Sequence, residues 1–138
     1  MKKLGKILGI AFLLILQSCY FGAGLVEQDL PNDFFLFANN SQDEMSIWFQ
    51  AEEYSNQLIV PETVFAVGYN NDFIIAKSHP KDLKNGINKS VTNYHIIIVA
   101  EKNPKQSTSL TLEQFDFEKK RLNIPDKLEF DIVFAEFK

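Results

Sequence analysis

Residues 64–77 leave this chain few ways to fold. Val64-Phe65-Ala66-Val67-Gly68-Tyr69 and Asp72-Phe73-Ile74-Ile75-Ala76-Lys77 flank Asn70-Asn71, and almost every flanking position is apolar. Two β-rich runs joined by paired asparagines read as a hairpin, because Asn tolerates the positive φ that a two-residue turn demands. Such a turn sets Tyr69 opposite Asp72, Gly68 opposite Phe73, Val67 opposite Ile74 and Ala66 opposite Ile75. Phe73 then covers the bare backbone of Gly68. Successive side chains of a strand point to opposite faces. A hairpin that is apolar on both faces belongs in the middle of a sheet covered on both sides.

The surrounding segments supply further strands and one helix. Residues 34–37 and 45–50 are short aromatic and aliphatic runs separated by Asn39-Asn40-Ser41-Gln42-Asp43, a turn-forming stretch. Residues 51–57 are polar and read as a loop. Residues 58–60 end at Pro61 and read as an edge fragment. Residues 78–92 read as a loop, broken by His79-Pro80 and Asn85-Gly86. Residues 94–100 form a strand apolar on both faces, ended by Asn103-Pro104. Residues 110–122 carry the helix signals: Thr111 as N-cap, Gln114 closing a capping box, and Leu110 with Phe115 as a hydrophobic staple. Leu112, Phe115 and Leu122 share its apolar face, with Lys119 snorkelling there. Lys119-Lys120-Arg121 suit its C-terminal dipole, and Pro125 forbids continuation. In residues 128–137, Leu128, Phe130, Ile132 and Phe134 alternate with Glu129, Asp131, Val133 and Ala135, as in a strand near a sheet edge. The expected class is α+β: an antiparallel sheet of five or six strands with one helix, about 111–122, packed on it. A small all-β barrel plugged by the helix is the alternative.

Length and charge narrow the function. The chain has 138 residues and formal net charge −4, with one cysteine, Cys19. Lys2, Lys3 and Lys6 are the only charged residues before Cys19, so the body is more acidic than that net figure. No Lys or Arg lies between Cys19 and Ala76, whereas bases outnumber acids from Lys77 onward. An acidic domain is a poor partner for nucleic acid. The uneven charge reads either as a solvated surface or as an acidic face for a basic protein.

The beginning of the chain speaks to address. Lys2, Lys3 and Lys6 precede a ten-residue apolar run, residues 7–16, and then Leu16-Gln17-Ser18-Cys19. This order resembles a bacterial lipoprotein signal peptide, and the run is shorter than the roughly 20 residues a membrane helix needs. The resemblance implies cleavage between Ser18 and Cys19 and lipidation of Cys19. The body would then be tied to a membrane of the cell envelope on its extracytoplasmic side. Tyr20 stands where some Gram-negative lipoproteins carry an Asp that retains them in the inner membrane, which favours the outer membrane. An uncleaved N-terminal membrane helix, and an ordinary signal cut elsewhere, are the alternatives; Gln17 keeps the second open. The expected organisation is residues 1–18 signal peptide, 19–32 flexible tether and 33–138 a single globular domain. With Cys19 lipidated, the body has no thiol for a disulfide, metal site or nucleophile.

Few residues announce chemistry. His79 lies in Ser78-His79-Pro80, and His95 shares a strand face with Ile97 and Val99. Metal sites take three or four converging ligands, and two histidines with scattered acids do not announce one. Ser78-His79 adjacency is no triad, because neighbours on an extended chain point apart. Glu52-Glu53 read as solvated loop residues, and neither Asp43-Glu44 nor Asp29 with Asp33 matches a calcium loop. No glycine-rich phosphate loop is present. Hence no catalytic residue, metal or cofactor is expected. Thirteen phenylalanines, four tyrosines and one tryptophan read as core filler or as a greasy groove for a ligand.

Val67-Gly68-Tyr69-Asn70-Asn71-Asp72-Phe73-Ile74-Ile75-Ala76-Lys77, the Ile-rich strand from Tyr94, and Leu110-Thr111-Leu112-Glu113-Gln114-Phe115 with Leu122-Asn123-Ile124-Pro125 resemble a family of short uncharacterised bacterial lipoproteins. The resemblance covers residues 64–125, leaves 34–49 outside, and implies no activity and no site residues. The functional expectation is a non-enzymatic module, held at the membrane through Cys19, that binds an envelope protein or a small ligand. Two alternatives are an envelope hydrolase using His79 or His95, and an immunity or inhibitor protein using the acidic 19–76 half.

Overall fold

The computed structural model describes residues 26–52 and 55–138. Strands β1 (Val26–Asp29), β2 (Phe34–Ala38), β3 (Ser46–Glu52) and β4 (Ser55–Val60) form one antiparallel sheet in that order. Strands β5 (Val64–Tyr69), β6 (Phe73–Ser78), β9 (Asn93–Ile98) and β10 (Ile132–Val133) form a second, in the order β10-β5-β6-β9. A two-stranded hairpin, β7 (Lys81–Asp82) with β8 (Gly86–Ile87), and one helix, α1 (Leu112–Arg121), complete the described elements, with 3-10 turns at Gln42–Glu44 and Ala135–Phe137. The class is α+β as expected. The strands are split between two open sheets rather than gathered into one, and neither sheet closes into the alternative barrel.

The two-sided hairpin explains the layering. Ile74 and Ala76 of β6, Val67 of β5 and Ile97 of β9 face the first sheet and join Phe34, Leu36, Ile47, Phe49 and Ile59 in one buried cluster. Ile75, on the opposite face of β6, packs with Phe115 of α1 and with Ile124 and Leu128 beyond it. The second sheet is thus covered by a sheet on one side and by the helix on the other. Burying each such side chain contributes roughly 1.5–3 kcal/mol. Alternation marks the first sheet as half-wet: Phe34, Leu36 and Ala38 are buried, Phe35 and Phe37 only partly.

Several local expectations are corrected. The β5–β6 turn is Asn71-Asp72, not Asn70-Asn71, so Tyr69 pairs with Ile74, Gly68 with Ile75 and Val67 with Ala76. The reason is turn chemistry. Asn70 Oδ1 accepts from the N–H groups of Asp72 (2.9 Å) and Phe73 (2.8 Å), which closes the turn without positive φ at either central residue. A slip of two residues preserves which face each side chain occupies. Phe73 does not cover Gly68. A Cβ at Gly68 would lie 1.9 Å from the Glu129 carbonyl oxygen, so glycine is there to let the C-terminal segment cross the sheet. For the same reason residues 128–137 are not one strand: Leu128 is buried under the helix side, and only Ile132 and Val133 pair with β5, at the sheet edge. Of residues 51–57, expected as a loop, residues 51–52 extend β3 and residues 55–57 start β4. Polar side chains suit that ribbon because Gln50, Ala51, Glu52, Ser55, Asn56 and Gln57 are exposed. Within the expected tether, Val26–Asp29 pairs with β2. Residues 1–25, including Ser18 and Cys19, lie outside the described residues. Among those described, no helix is long and apolar enough to cross a membrane.

Candidate functional site

The helix is placed by its caps. Thr111 accepts from Gln114 N–H, and Gln114 Oε1 accepts from Thr111 N–H at 2.9 Å, the expected capping box. Leu110 and Phe115 join the same cluster, as a staple requires. At the other end Asn123 takes φ 54°, and Ile124 N–H reaches back to Lys119 O at 2.9 Å, a Schellman closure. Lys119 Nζ stands 5.7 Å from the Phe115 ring centroid, consistent with a snorkelling stem. Leu112, expected on the buried face, is exposed instead.

Between α1 and β9 runs a groove of about 770 Å³. Its floor is Ile96 and Ile98 with Leu110 and Leu122, and Glu118 with Arg121 stands on the helix side. Residues 103–108 form the far wall. That wall is held to both sheets: Ser107 N–H donates to Ile59 O at 2.8 Å, and Leu110, two residues past the wall, exchanges two 2.9 Å bonds with Tyr94. Its volume falls in the range of small-ligand pockets, ~300–1,000 Å³.

His95 supports the wall from below. The ring is buried, with Nε2 2.9 Å from Ser78 Oγ and Nδ1 3.3 Å from Ser107 Oγ. Burial holds its pKa down to about 4, so the ring is neutral near pH 7. A neutral imidazole has one donor and one acceptor, and a hydroxyl can meet either. Ser107 lines the groove, so His95 orders a groove residue through one hydrogen bond.

His79 belongs to the segment read as a loop, yet its ring is buried. It is 2% exposed and stacked on Phe65 with ring centroids 4.2 Å apart. Nδ1 lies 2.7 Å from Val91 O and Nε2 2.6 Å from Phe137 O. Both neighbours are main-chain carbonyl oxygens, which only accept, so a neutral ring donates to one of them and merely packs against the other, placing His79 between the Val91 carbonyl and the C-terminal turn. The two histidines thus have different hydrogen-bond partners.

Ser107, His95 and Ser78 have the order of a nucleophile, a base and a group that orients it. The energetics argue against that use. Ser78 and His95 are 3% and 1% exposed, and the burial that keeps His95 neutral also resists the proton a general base must accept. The arrangement serves as a buried pin between β6, β9 and the groove wall. Sequence reasoning weighed Ser78 only beside His79, and it missed Ser107. A histidine on an apolar strand face signals that a partner must exist, but naming it requires the register.

Two of the acids are engaged by a lysine. Asp43 and Glu62 meet Lys81 Nζ at 2.9 and 3.2 Å, and the Asp43 hydrogen bond is the chief reason the lysine's pKa is raised. Glu44 accepts from Asn40 N–H at 2.9 Å and closes the turn before β3. Asp29 and Asp33 border a separate hollow of about 280 Å³ beside Gln50. Glu52 is exposed, and Glu53 lies outside the described residues. Among the described residues no three His, Cys, Asp or Glu side chains are placed to hold a metal ion.

Residues 31–134 match the family described as "Protein of unknown function (DUF3997)". The match takes in the 34–49 region that the sequence resemblance left out. No curated protein and no solved structure matches the chain.

Proposed function

The chain belongs to that family, which lends it no activity, and on that footing we propose that it is a membrane-anchored envelope lipoprotein whose body is a non-enzymatic binding module. The anchor rests on Leu16-Gln17-Ser18-Cys19 and the basic, apolar order before it. Cys19 carries the lipid and Ser18 is the last residue removed. The binding role rests on one observation: the groove beside β9 has an apolar floor, a polar rim and a wall braced by Ser107, while both histidines are committed to buried contacts. Such a site is built to hold a ligand and is not equipped to transform one. Its partner is an envelope protein.

Thr108 is exposed on the groove wall. A Thr108→Trp substitution fills the groove without touching the core. Capture from an envelope extract should return a reproducible partner with the wild type and lose it with Thr108→Trp. Equal capture by both proteins would rule out the groove as the binding site.

A hydrolase is the second reading, favoured by the Ser107–His95 contact. It requires Ser107 to react with a fluorophosphonate probe and His95→Ala to abolish the labelling. No labelling at Ser107 rejects it.

A further inference from the structure

The outer edge of β9 carries information about what fits the groove. β9 ends the second sheet, and an antiparallel strand alternates its main-chain groups between its two sides. Val99 N–H bonds Asp72 O on the β6 side, whereas Tyr94 bonds Leu110 on the outer side through both its N–H and its C=O, all at 2.9 Å. Residues 95 and 97 therefore serve β6, and residues 94, 96 and 98 point outward. Leu110 occupies Tyr94, and Glu101 N–H reaches Ile98 O at 3.3 Å. Among the described residues, Ile96 N–H, Ile96 C=O and Ile98 N–H remain without a main-chain partner, all three on the groove side. Ile96 and Ile98 are half-buried residues, and an edge strand with unpaired N–H and C=O groups is a template for pairing with another chain.

We infer that this edge takes a short extended segment of a partner polypeptide, which adds as a strand beside Ile96 and Ile98; the inference rests on the groove being the binding site. The window ends at Leu110 on one side and at the Glu101 turn on the other, so it is three residues long. A second copy of this chain on the same edge would appear as a dimer whose Ile96 and Ile98 amides are protected without any peptide. A lone extended segment lies between wall and helix. The charges agree with this occupant. Glu118 and Arg121 neutralise each other across 2.6 Å, which leaves Glu101 and Lys105 as one acid and one base on the rim. A polyanion or polycation gains nothing from such a rim. A peptide with a basic residue near Glu101 and an acidic one near Lys105 complements it, and the main-chain bonds hold what lies between.

A phage-displayed library of random heptapeptides, panned against the full chain in detergent micelles, supplies the probe. Selected peptides should slow amide exchange at Ile96 and Ile98 at least tenfold, and N-methylation of their alternate main-chain nitrogens should weaken binding at least tenfold. An Ile96→Pro substitution removes an outward N–H on an edge strand, where proline fits, and should cause a similar loss. If that variant fails to fold, the N-methylated peptides decide alone. The inference is overturned if no peptide is selected, if selected peptides leave Ile96 and Ile98 unprotected, if N-methylation is without effect, or if those amides are protected by dimerisation. No selected peptide together with partner capture lost in Thr108→Trp overturns strand addition and keeps the groove. Capture unaffected by Thr108→Trp removes the groove itself.

Discussion

Acid should destabilise this protein through one ring. His95 is buried, and desolvation holds its pKa at about 4 against an ordinary 6.5. A base whose folded pKa is depressed gives full stability above the unfolded value and loses it as pH falls, because the unfolded chain binds the proton more readily. The window therefore runs from about pH 6.5 down to about pH 4. With those two values the expected loss is about 2 kcal/mol at pH 5 and about 3 kcal/mol at pH 4, because each tenfold difference in proton affinity is worth roughly 1.4 kcal/mol. Protonation should act on the groove as well, since the same ring holds Ser107 Oγ and Ser78 Oγ. The assay is urea unfolding of the lipid-free body at pH 7.5, 6, 5 and 4, for the wild type and for His95→Gln. Carboxylates such as exposed Asp82 and half-buried Glu118 titrate in both proteins, so the difference between the two curves isolates the ring. The wild type should lose about 2 kcal/mol more than the variant between pH 7.5 and 5. Parallel curves, or a ring seen by NMR to titrate near pH 6.5 in the folded protein, would show that burial does not keep His95 neutral.

Two further predictions concern stability. Gly68→Ala drives a methyl into the Glu129 carbonyl and should cost about 1–3 kcal/mol in urea unfolding, with faster amide exchange in residues 128–133; an unchanged midpoint would mean the C-terminal segment does not lie across that glycine. At the helix ends, Thr111→Ala should cost about 1 kcal/mol through loss of the capping box. Asn123→Ala should cost about 1–2 kcal/mol through its left-handed φ, whereas Asn123→Gly should be close to neutral. Thermal unfolding of the three variants checks that order.

What the sequence revealed depended on how local the deciding physics was. The helix was legible nearly to the residue because Thr111, Gln114 and Leu110 act within one turn. The covered hairpin was legible because it is apolar on both faces. Its register was not, since Asn70 could either enter the turn or cap it, and only the structure shows the cap. The alternation in residues 128–134 imitates a strand, yet buried Leu128 and partly buried Ile132 pack against different layers. Residues 51–52 and 55–57 hid an exposed ribbon, because a strand end with two wet faces leaves no apolar pattern. For the candidate site, His95 was correctly placed with Ile97 and Val99, but its serines lie 17 and 12 residues away and depend on the fold. The groove was illegible for the same reason: its floor and its wall come from elements that meet only after β9 and α1 have packed.

A binding module held at the envelope presupposes the anchor, and Cys19 tests the anchor most directly. Wild type and Cys19→Ala should be expressed with a C-terminal tag, separated into membrane and soluble fractions, and weighed intact. The wild-type protein should begin at Cys19, carry the mass of the lipid and stay with the membrane, while Cys19→Ala carries none. A wild type that starts at another residue, or that carries no lipid and partitions like the alanine form, would mean that Cys19 is no anchor.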